Sequence, residues 1–373
     1  MSDPLSPELL WQIKGGEGDF ANLGQSWSRM ALSTMEVYGV ETKVLIFGGG
    51  YDTVLDRSTA PNSSNTVGNA VYIVNAESGE HIWDETLVSE GKGYAVPADI
   101  TVVDSDSDTL ADRLYISDLG GRIWRVDFSD GNIDSNPVSL LKLADLSANG
   151  EYHPFFYPPS AALVRDGLKS HIALTIGSGS REHPLYPDSA NSIYMIKDRN
   201  VAPGFPADTT LWPLDAASLY DTTDNAVGST DAGVAAAAKQ LNSQAEGWYV
   251  RLDSGEKVLA TTSVFENQLI FTSFSPETTA ESADDVCAAV GTTGRFYQLD
   301  VSDGQPVGFL SQADSTTSQL TKDDRSKVVT THGIPGSAAL VFPKGSDEVK
   351  IYVGQQEVSA VSQKLNRLMW FGN

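Results

Sequence analysis

Apolar and aromatic residues fall along this chain in short runs of roughly four to seven, separated by clusters of Gly, Asp, Asn and Ser. Runs of that length bounded by turn-forming residues are the pattern of many strands joined by tight turns. The clearest strands predicted are Lys43–Phe47, Ala70–Asn75, Asp99–Val103, Arg113–Ser117, Arg122–Asp127, Ile172–Gly177, Ser192–Lys197, Trp248–Leu252, Gln268–Ser273, Arg295–Asp300, Ala338–Phe342 and Val349–Val353. Helical periodicity is scarce. Only Thr230–Gln244, rich in Ala, reads as a helix.

Within the strand pattern a unit recurs: apolar-Tyr-x-apolar, then Asp or Asn, then a Gly turn, in two copies followed by Trp. The copies are Val71–Asn75 with Gly79 and Trp83, Leu114–Asp118 with Gly120, Gly121 and Trp124, Ile193–Asp198, and Phe296–Asp300 with Gly304. Each reads as a hairpin. The spacings between Tyr72, Tyr115, Tyr194 and Tyr297 come to about one, two and somewhat more than two units of 40–50 residues, the length of a propeller blade. Radial repetition protects sheet edges without helices to cover them, which suits a chain this poor in helix. The length then accommodates about seven or eight blades.

Polar segments at Asp56–Gly68, Asp130–Asn149, Ala202–Asn225 and Pro276–Ala288 are longer than simple turns and read as surface insertions. No Pro- or Gly-rich linker separates halves of different composition, so residues 1–373 read as a single all-β domain. Charge changes the picture of partners. With 25 basic and 49 acidic side chains the formal charge is −24. Such a field repels nucleic acid and anionic lipid and attracts cations. No stretch approaches the roughly 18 apolar residues of a membrane span, so no direct membrane insertion is expected. The lone Cys287 excludes an intrachain disulfide and reads as a small buried hydrophobe. The start Met1-Ser2-Asp3-Pro4 lacks the marks of a signal peptide, as the start of a domain excised from a longer secreted protein would.

The sharpest chemical signal is the run Asp104-Ser105-Asp106-Ser107-Asp108-Thr109-Leu110-Ala111-Asp112. Carboxylates of Asp104, Asp106, Asp108 and Asp112, with the Leu110 backbone carbonyl between the last two, supply the hard oxygen ligands that Ca²⁺ prefers; Mg²⁺ demands a tighter octahedron and holds its water. Four carboxylates in so short a loop repel one another unless a cation neutralises them. The plainer alternative is an acidic solvated loop. Two departures from the usual loop stand out: Thr109 occupies the place of a turn Gly, and Tyr115 that of a bidentate Glu. The flanking runs are strands, so this is not an EF-hand.

Several segments together resemble the PilY-type pilus biogenesis and tip-associated adhesin family of bacterial type IV pili. They are Gln25–Ser28, Val44–Asp52, Ala95–Asp99 leading into the Asp loop, Asp118–Asp127 with its Gly-Gly-x-x-Trp-Arg strand, Gly177–Leu185 followed by Ile193-Tyr194, and Gly294–Asp300. The resemblance spans about Gly24 to Trp370 and points to the family's C-terminal domain. It implies a modified seven-bladed β-propeller with long loop insertions and a few short helices. It also implies Ca²⁺ held by Asp104, Asp106, Asp108, Leu110 and Asp112. The family's role is pilus extension, adhesion and twitching motility at the cell surface and pilus tip, reached by export through the periplasm. Pilin or minor pilins, and a host or abiotic surface, are the implied partners. In that family calcium opposes pilus retraction, which makes the loop a switch and the domain a non-enzyme. The family's adhesive N-terminal region has no counterpart in this sequence.

Other chemistry is thinner. Glu182 and His183 place a carboxylate beside an imidazole, but an extended segment before Pro184 points them apart, so a loop role is expected. No nucleophile elbow, phosphate-binding loop or H-E-x-x-H pair occurs. Gly48-Gly49-Gly50 reads as a turn permitting close packing. The enzymatic alternative is a quinoprotein-like propeller holding pyrroloquinoline quinone through calcium. That cofactor needs a metal held from several blades, whereas these carboxylates come from one loop.

Overall fold

Each run predicted as a strand overlaps a strand in the computed structural model, and Ala70–Asn75, Arg113–Ser117 and Arg122–Asp127 do so with the same bounds. The structure describes residues 8–57, 65–129, 131–133, 139–147, 151–166, 169–202, 204, 206, 209–224, 245–276, 292–311, 320–329 and 333–362. The predicted helix over 230–244, Cys287, and much of the loops over 56–68, 130–149, 202–225 and 276–288 lie outside them. The chain falls into two units, one of the residues up to Leu143 with Ala202–Trp212, the other of Ala144–Val201 with the residues from Pro213 onward.

In the first unit β1 (Ala31–Val37), β2 (Val40–Gly48), β3 (Ala70–Asn75) and β4 (His81–Thr86) form an antiparallel sheet in chain order. A short hairpin of β5 (Val88–Ser89) and β6 (Lys92–Gly93) follows. The next sheet runs β7 (Thr101–Val103), β8 (Arg113–Ser117), β9 (Arg122–Asp127) and β10 (Ser139–Asp145). In the second unit β11 (Ser160–Asp166), β12 (Lys169–Gly177), β13 (Ser192–Asp198) and β15 (Gly247–Arg251) are joined by the two-residue β14 (Tyr220–Asp221), which pairs parallel to β15. Then come β16 (Ser263–Phe265), β17 (Gln268–Pro276), β18 (Thr292–Asp300) and β19 (Ser326–Val329), and a three-stranded sheet of β20 (Ala339–Val341), β21 (Glu348–Val353) and β22 (Gln356–Ser362). Among the described residues there are thus five sheets of three to five strands, against the seven blades that the resemblance implies. Helix is confined there to 3₁₀ turns at Gly18–Phe20, Thr53–Arg57, Ala216–Ser218 and Lys322–Arg325. None of the described helices is long and apolar enough to cross a membrane.

Strands β8 and β9 are buried at every position, so both their faces face protein. Their apolar side chains join Met35, Val44, Ile46, Val71 and Ile73 in the core of the first unit. Two buried arginines of this unit share one carboxylate. Arg113 Nε lies 2.9 Å from Asp127 Oδ1 and Arg125 Nε 2.6 Å from Asp127 Oδ2. The outer nitrogens of the two arginines donate to the carbonyls of Ala202 and Gly204 at 2.8 and 3.0 Å, tying that returning segment to the sheet. A buried guanidinium without such partners would be strongly destabilising.

The recurring unit has one structural meaning. After the strand, the Asp or Asn side chain accepts backbone N–H groups of the turn that follows it: Asn75 Oδ1 from Glu77 and Ser78, Asp118 Oδ1 from Gly120 and Arg122, Asp300 Oδ1 from Ser302. Gly79, Gly121 and Gly304 then take the left-handed backbone that reverses the chain. The Gly48–Gly50 run permits close approach, as expected, because a Cβ there would meet the carbonyl oxygens of Val96, Gly68 and Gln25.

Asp118 also accepts the indole N–H of Trp124 at 2.8 Å. Complete burial pushes its carboxyl up to about 7, against the pull of the Trp124 bond, the Arg122 charge and the turn N–H groups. A carboxyl that keeps its proton in the fold after the unfolded chain has lost it contributes most in acid. That contribution falls as pH rises from the unfolded value, about 4, through about 7. Asp118→Asn, which cannot titrate, should therefore lose less stability than the parent between about pH 5 and about pH 8 in urea unfolding. An equal loss in both proteins would refute the assignment.

Candidate metal centre

The loop between β7 and β8 owes its shape to its own aspartates. Asp104 Oδ1 accepts the N–H of Ser107 at 2.6 Å and Oδ2 that of Thr109 at 2.9 Å. Asp106 Oδ1 accepts from Asp108 at 3.2 Å, and Asp108 Oδ1 from Leu110 at 2.8 Å. Successive Asx turns of this kind coil the backbone tightly and point the carboxylates inward. The coil requires left-handed backbone at Ser107 (φ 71°) and Thr109 (φ 81°). For a β-branched residue that conformation stores strain of about 1–3 kcal/mol.

The far end of the loop is fixed to the core. Asp112 donates its N–H to Val103 at 3.1 Å, and its carbonyl accepts from Phe128 at 2.7 Å. Its neighbour Ala111 donates to Thr34 at 2.9 Å. Leu110 packs against Gly131, where a Cβ would collide with the Leu110 side chain. Asp112 is thereby only 1% exposed. Its Oδ2 accepts both the N–H and the hydroxyl of Ser105 at 2.5 Å, while Oδ1 is buried with no hydrogen-bond partner.

The result is that Asp104, Asp106, Asp108 and Asp112 each offer a carboxylate oxygen, and these oxygens all lie within 4.8 Å of one another. Burial, with the added charges of Asp106 and Asp104, raises the Asp112 carboxyl above its usual range, against the two Ser105 bonds. Asp106 is raised as well, by desolvation and by the charges of Asp108 and Asp104. A cation at the centre of this group would relieve the repulsion and supply the partner that Asp112 Oδ1 lacks. All-oxygen donors are those of a hard divalent ion. The structure therefore brings together four of the five residues expected from the sequence, in a cluster able to hold a metal ion. The fifth, Leu110, lies in the same loop with its N–H on Asp108. Thr34 and Phe128 had no signal in the sequence, because they hold Ala111 and Asp112 from segments distant in the chain, and Ser105 within the loop gave none of its bond to Asp112.

The other sequence candidates give no second centre. Arg181 to Tyr186 form a turn in which Tyr186 N–H donates to the His183 carbonyl at 3.2 Å. This is the loop role expected of them.

No protein-family model matches the chain. Among curated proteins, a type IV pilus biogenesis factor PilY1 homologue of Xylella fastidiosa (strain Temecula1 / ATCC 700964) is 23% identical over 299 residues, which covers 78% of this chain and 21% of that protein. The chain thus spans about a fifth of that relative's length. Among solved structures, the C-terminal domain of Pseudomonas aeruginosa PilY1 superposes with a TM-score of 0.66 at 16% identity, covering 96% of this chain and 76% of that one. A quinohemoprotein alcohol dehydrogenase of Pseudomonas putida HK5 reaches a TM-score of only 0.33 at 13% identity, over 90% of this chain and 44% of that one, which carries no structural argument. The resemblance carried by the residues is therefore borne out in sequence and in fold alike: this chain is similar to the C-terminal β-propeller domain of the PilY-type type IV pilus biogenesis factors.

Proposed function

We propose that this chain is a calcium-binding, non-catalytic domain of a type IV pilus assembly factor that acts at the pilus tip. The observation that carries the calcium part is the convergence of one carboxylate oxygen from each of Asp104, Asp106, Asp108 and Asp112 within 4.8 Å, together with a buried Asp112 Oδ1 that has no hydrogen-bond partner. The pilus part rests on the sequence match to the Xylella homologue. On this reading residues 1–373 form one seven-bladed propeller domain of a longer exported protein. Ca²⁺ is held by Asp104, Asp106, Asp108, the Leu110 carbonyl and Asp112. Its partners are pilin or minor pilins, and a host or abiotic surface.

Physical chemistry says what the ion would do here. Without it, the loop holds like charges together against their repulsion and keeps Thr109 in a strained conformation. With it, the same geometry becomes favourable, and the gain passes through Asp112 to β7 and the β9 end, where its backbone is anchored. Calcium thus has the means to stiffen the hairpin of β8 and β9. This supports a switch between pilus extension and retraction that governs twitching motility and attachment.

Two substitutions test the reading at different points. Asp112→Ala should abolish the rise in melting temperature that added Ca²⁺ produces in the parent protein, and a strain carrying it should lose surface pili or twitching. A calcium-dependent shift surviving in that variant would remove the site, and normal piliation without calcium binding would separate the site from the pilus role. Thr109→Gly should raise the melting temperature of the protein without added Ca²⁺, because relief of about 1 kcal/mol of strain is gained in the folded loop whether or not the ion is bound. An unchanged or lower melting temperature would show that the left-handed backbone at Thr109 does not limit stability.

A further inference from the structure

In the second unit, a cleft of about 660 Å³ opens where β18 and β19 meet the end of β15. Five cations line it, Arg251, Arg295, Lys322, Arg325 and Lys327, against the acids Asp253 and Asp323. In a chain of formal charge −24 this reverses the prevailing sign at one place. Two of the cations are matched: Arg251 Nε lies 3.4 Å from Asp221, and Lys322 Nζ 3.0 Å from Asp224. The rest have no carboxylate at ion-pair distance among the described residues. Lys327 Nζ donates to the Val358 carbonyl.

Arg325 is the informative member. It is 4% exposed, yet its guanidinium meets only neutral groups. Nη1 donates to the Thr223 carbonyl at 2.7 Å and Nη2 to that of Thr222 at 2.6 Å, while Nε is buried without a partner. Asp303, Asp224 and Asp221 act on it through space, but burial outweighs them and pulls its pKa below the usual arginine value. Arginine cannot shed its proton to escape, so a buried guanidinium of this kind carries an unmatched charge. The two carbonyls hold it rigidly at the cleft. Arg295 and Lys327 add positive charge to the same cleft, and Ser326 and Gln356 add uncharged donors.

We propose that this cleft is a binding site for a small multivalent oxyanion, a polycarboxylate or a phosphate, whose charge Arg325, Arg295 and Lys327 jointly neutralise. Arginine forks match the planar oxygens of both groups, and a site walled by protein makes each contact stronger than in open water. The site lies on residues other than the calcium loop and is independent of the pilus reading.

Calorimetric titration of the full chain with citrate and with inorganic phosphate, at ionic strength matched with sodium chloride, tests the proposal and distinguishes the two sources. At least one anion should bind saturably at one site. Arg295→Ala, which removes a charge with no carboxylate at ion-pair distance among the described residues, should weaken that binding tenfold or more at an unchanged melting temperature. Arg325→Lys keeps the charge but loses the fork and should weaken it likewise. Should Arg325→Lys not fold, Arg295→Ala alone decides. Absence of binding above the chloride background, or an affinity unchanged in either folded variant, would overturn the proposal.

Discussion

The burial of Asp112 is the constraint on which the candidate centre depends. A carboxylate at 1% exposure must find partners, and Asp112 has them for only one oxygen, through Ser105. Its backbone is held on both sides, by Val103 and by Phe128, so it cannot turn out to solvent without breaking the β7, β8 and β9 sheet. The remaining loop is flexible in composition but not in outcome. Once Asp112 is fixed, the Asx turns of Asp104, Asp106 and Asp108 bring their carboxylates back over it. The strain at Thr109 and the raised proton affinity of Asp106 and Asp112 are consequences of that convergence.

The same logic of buried charge recurs in two further places with different results. In the first unit Arg113 and Arg125 share Asp127 and spend their remaining donors on the carbonyls of Ala202 and Gly204, so a costly group becomes a tether for a returning segment. In the second unit Arg325 has carbonyls but no carboxylate, and its charge stays unmatched beside other cations. A satisfied cluster organises the fold, whereas an unsatisfied one at a cleft or loop leaves charge without a counterpart. The cation-lined cleft and the aspartate loop are opposite cases of this one rule.

Much of the fold was legible because the inner strands are buried on both faces. Ile116, Trp124 and Val126 lie in short apolar-rich stretches, and the Asp or Asn with its following Gly marks each turn chemically. The outer strands were not legible. β4, half-buried at every position, and β22, with its sequence Gln-Glu-Val-Ser-Ala-Val-Ser, carry too little apolar contrast to stand out, and it is pairing with β3 and β21 that makes them strands. β1 and β11 follow the same rule through β2 and β12.

What the sequence determined by itself was local: strand runs, hairpin turns, the spacing of carboxylates in the Asp104–Asp112 loop and the glycine missing at Thr109. Each depends on residues a few positions apart, whose chemistry is complete without the rest of the chain. The tertiary structure alone decided that Asp112 is buried with one oxygen unpartnered, that Thr34 and Phe128 hold the loop, and that Arg295, Arg325 and Lys327 share a cleft with Arg251. Burial and unmatched charge are properties of what surrounds a side chain, and those surroundings come from strands distant in sequence.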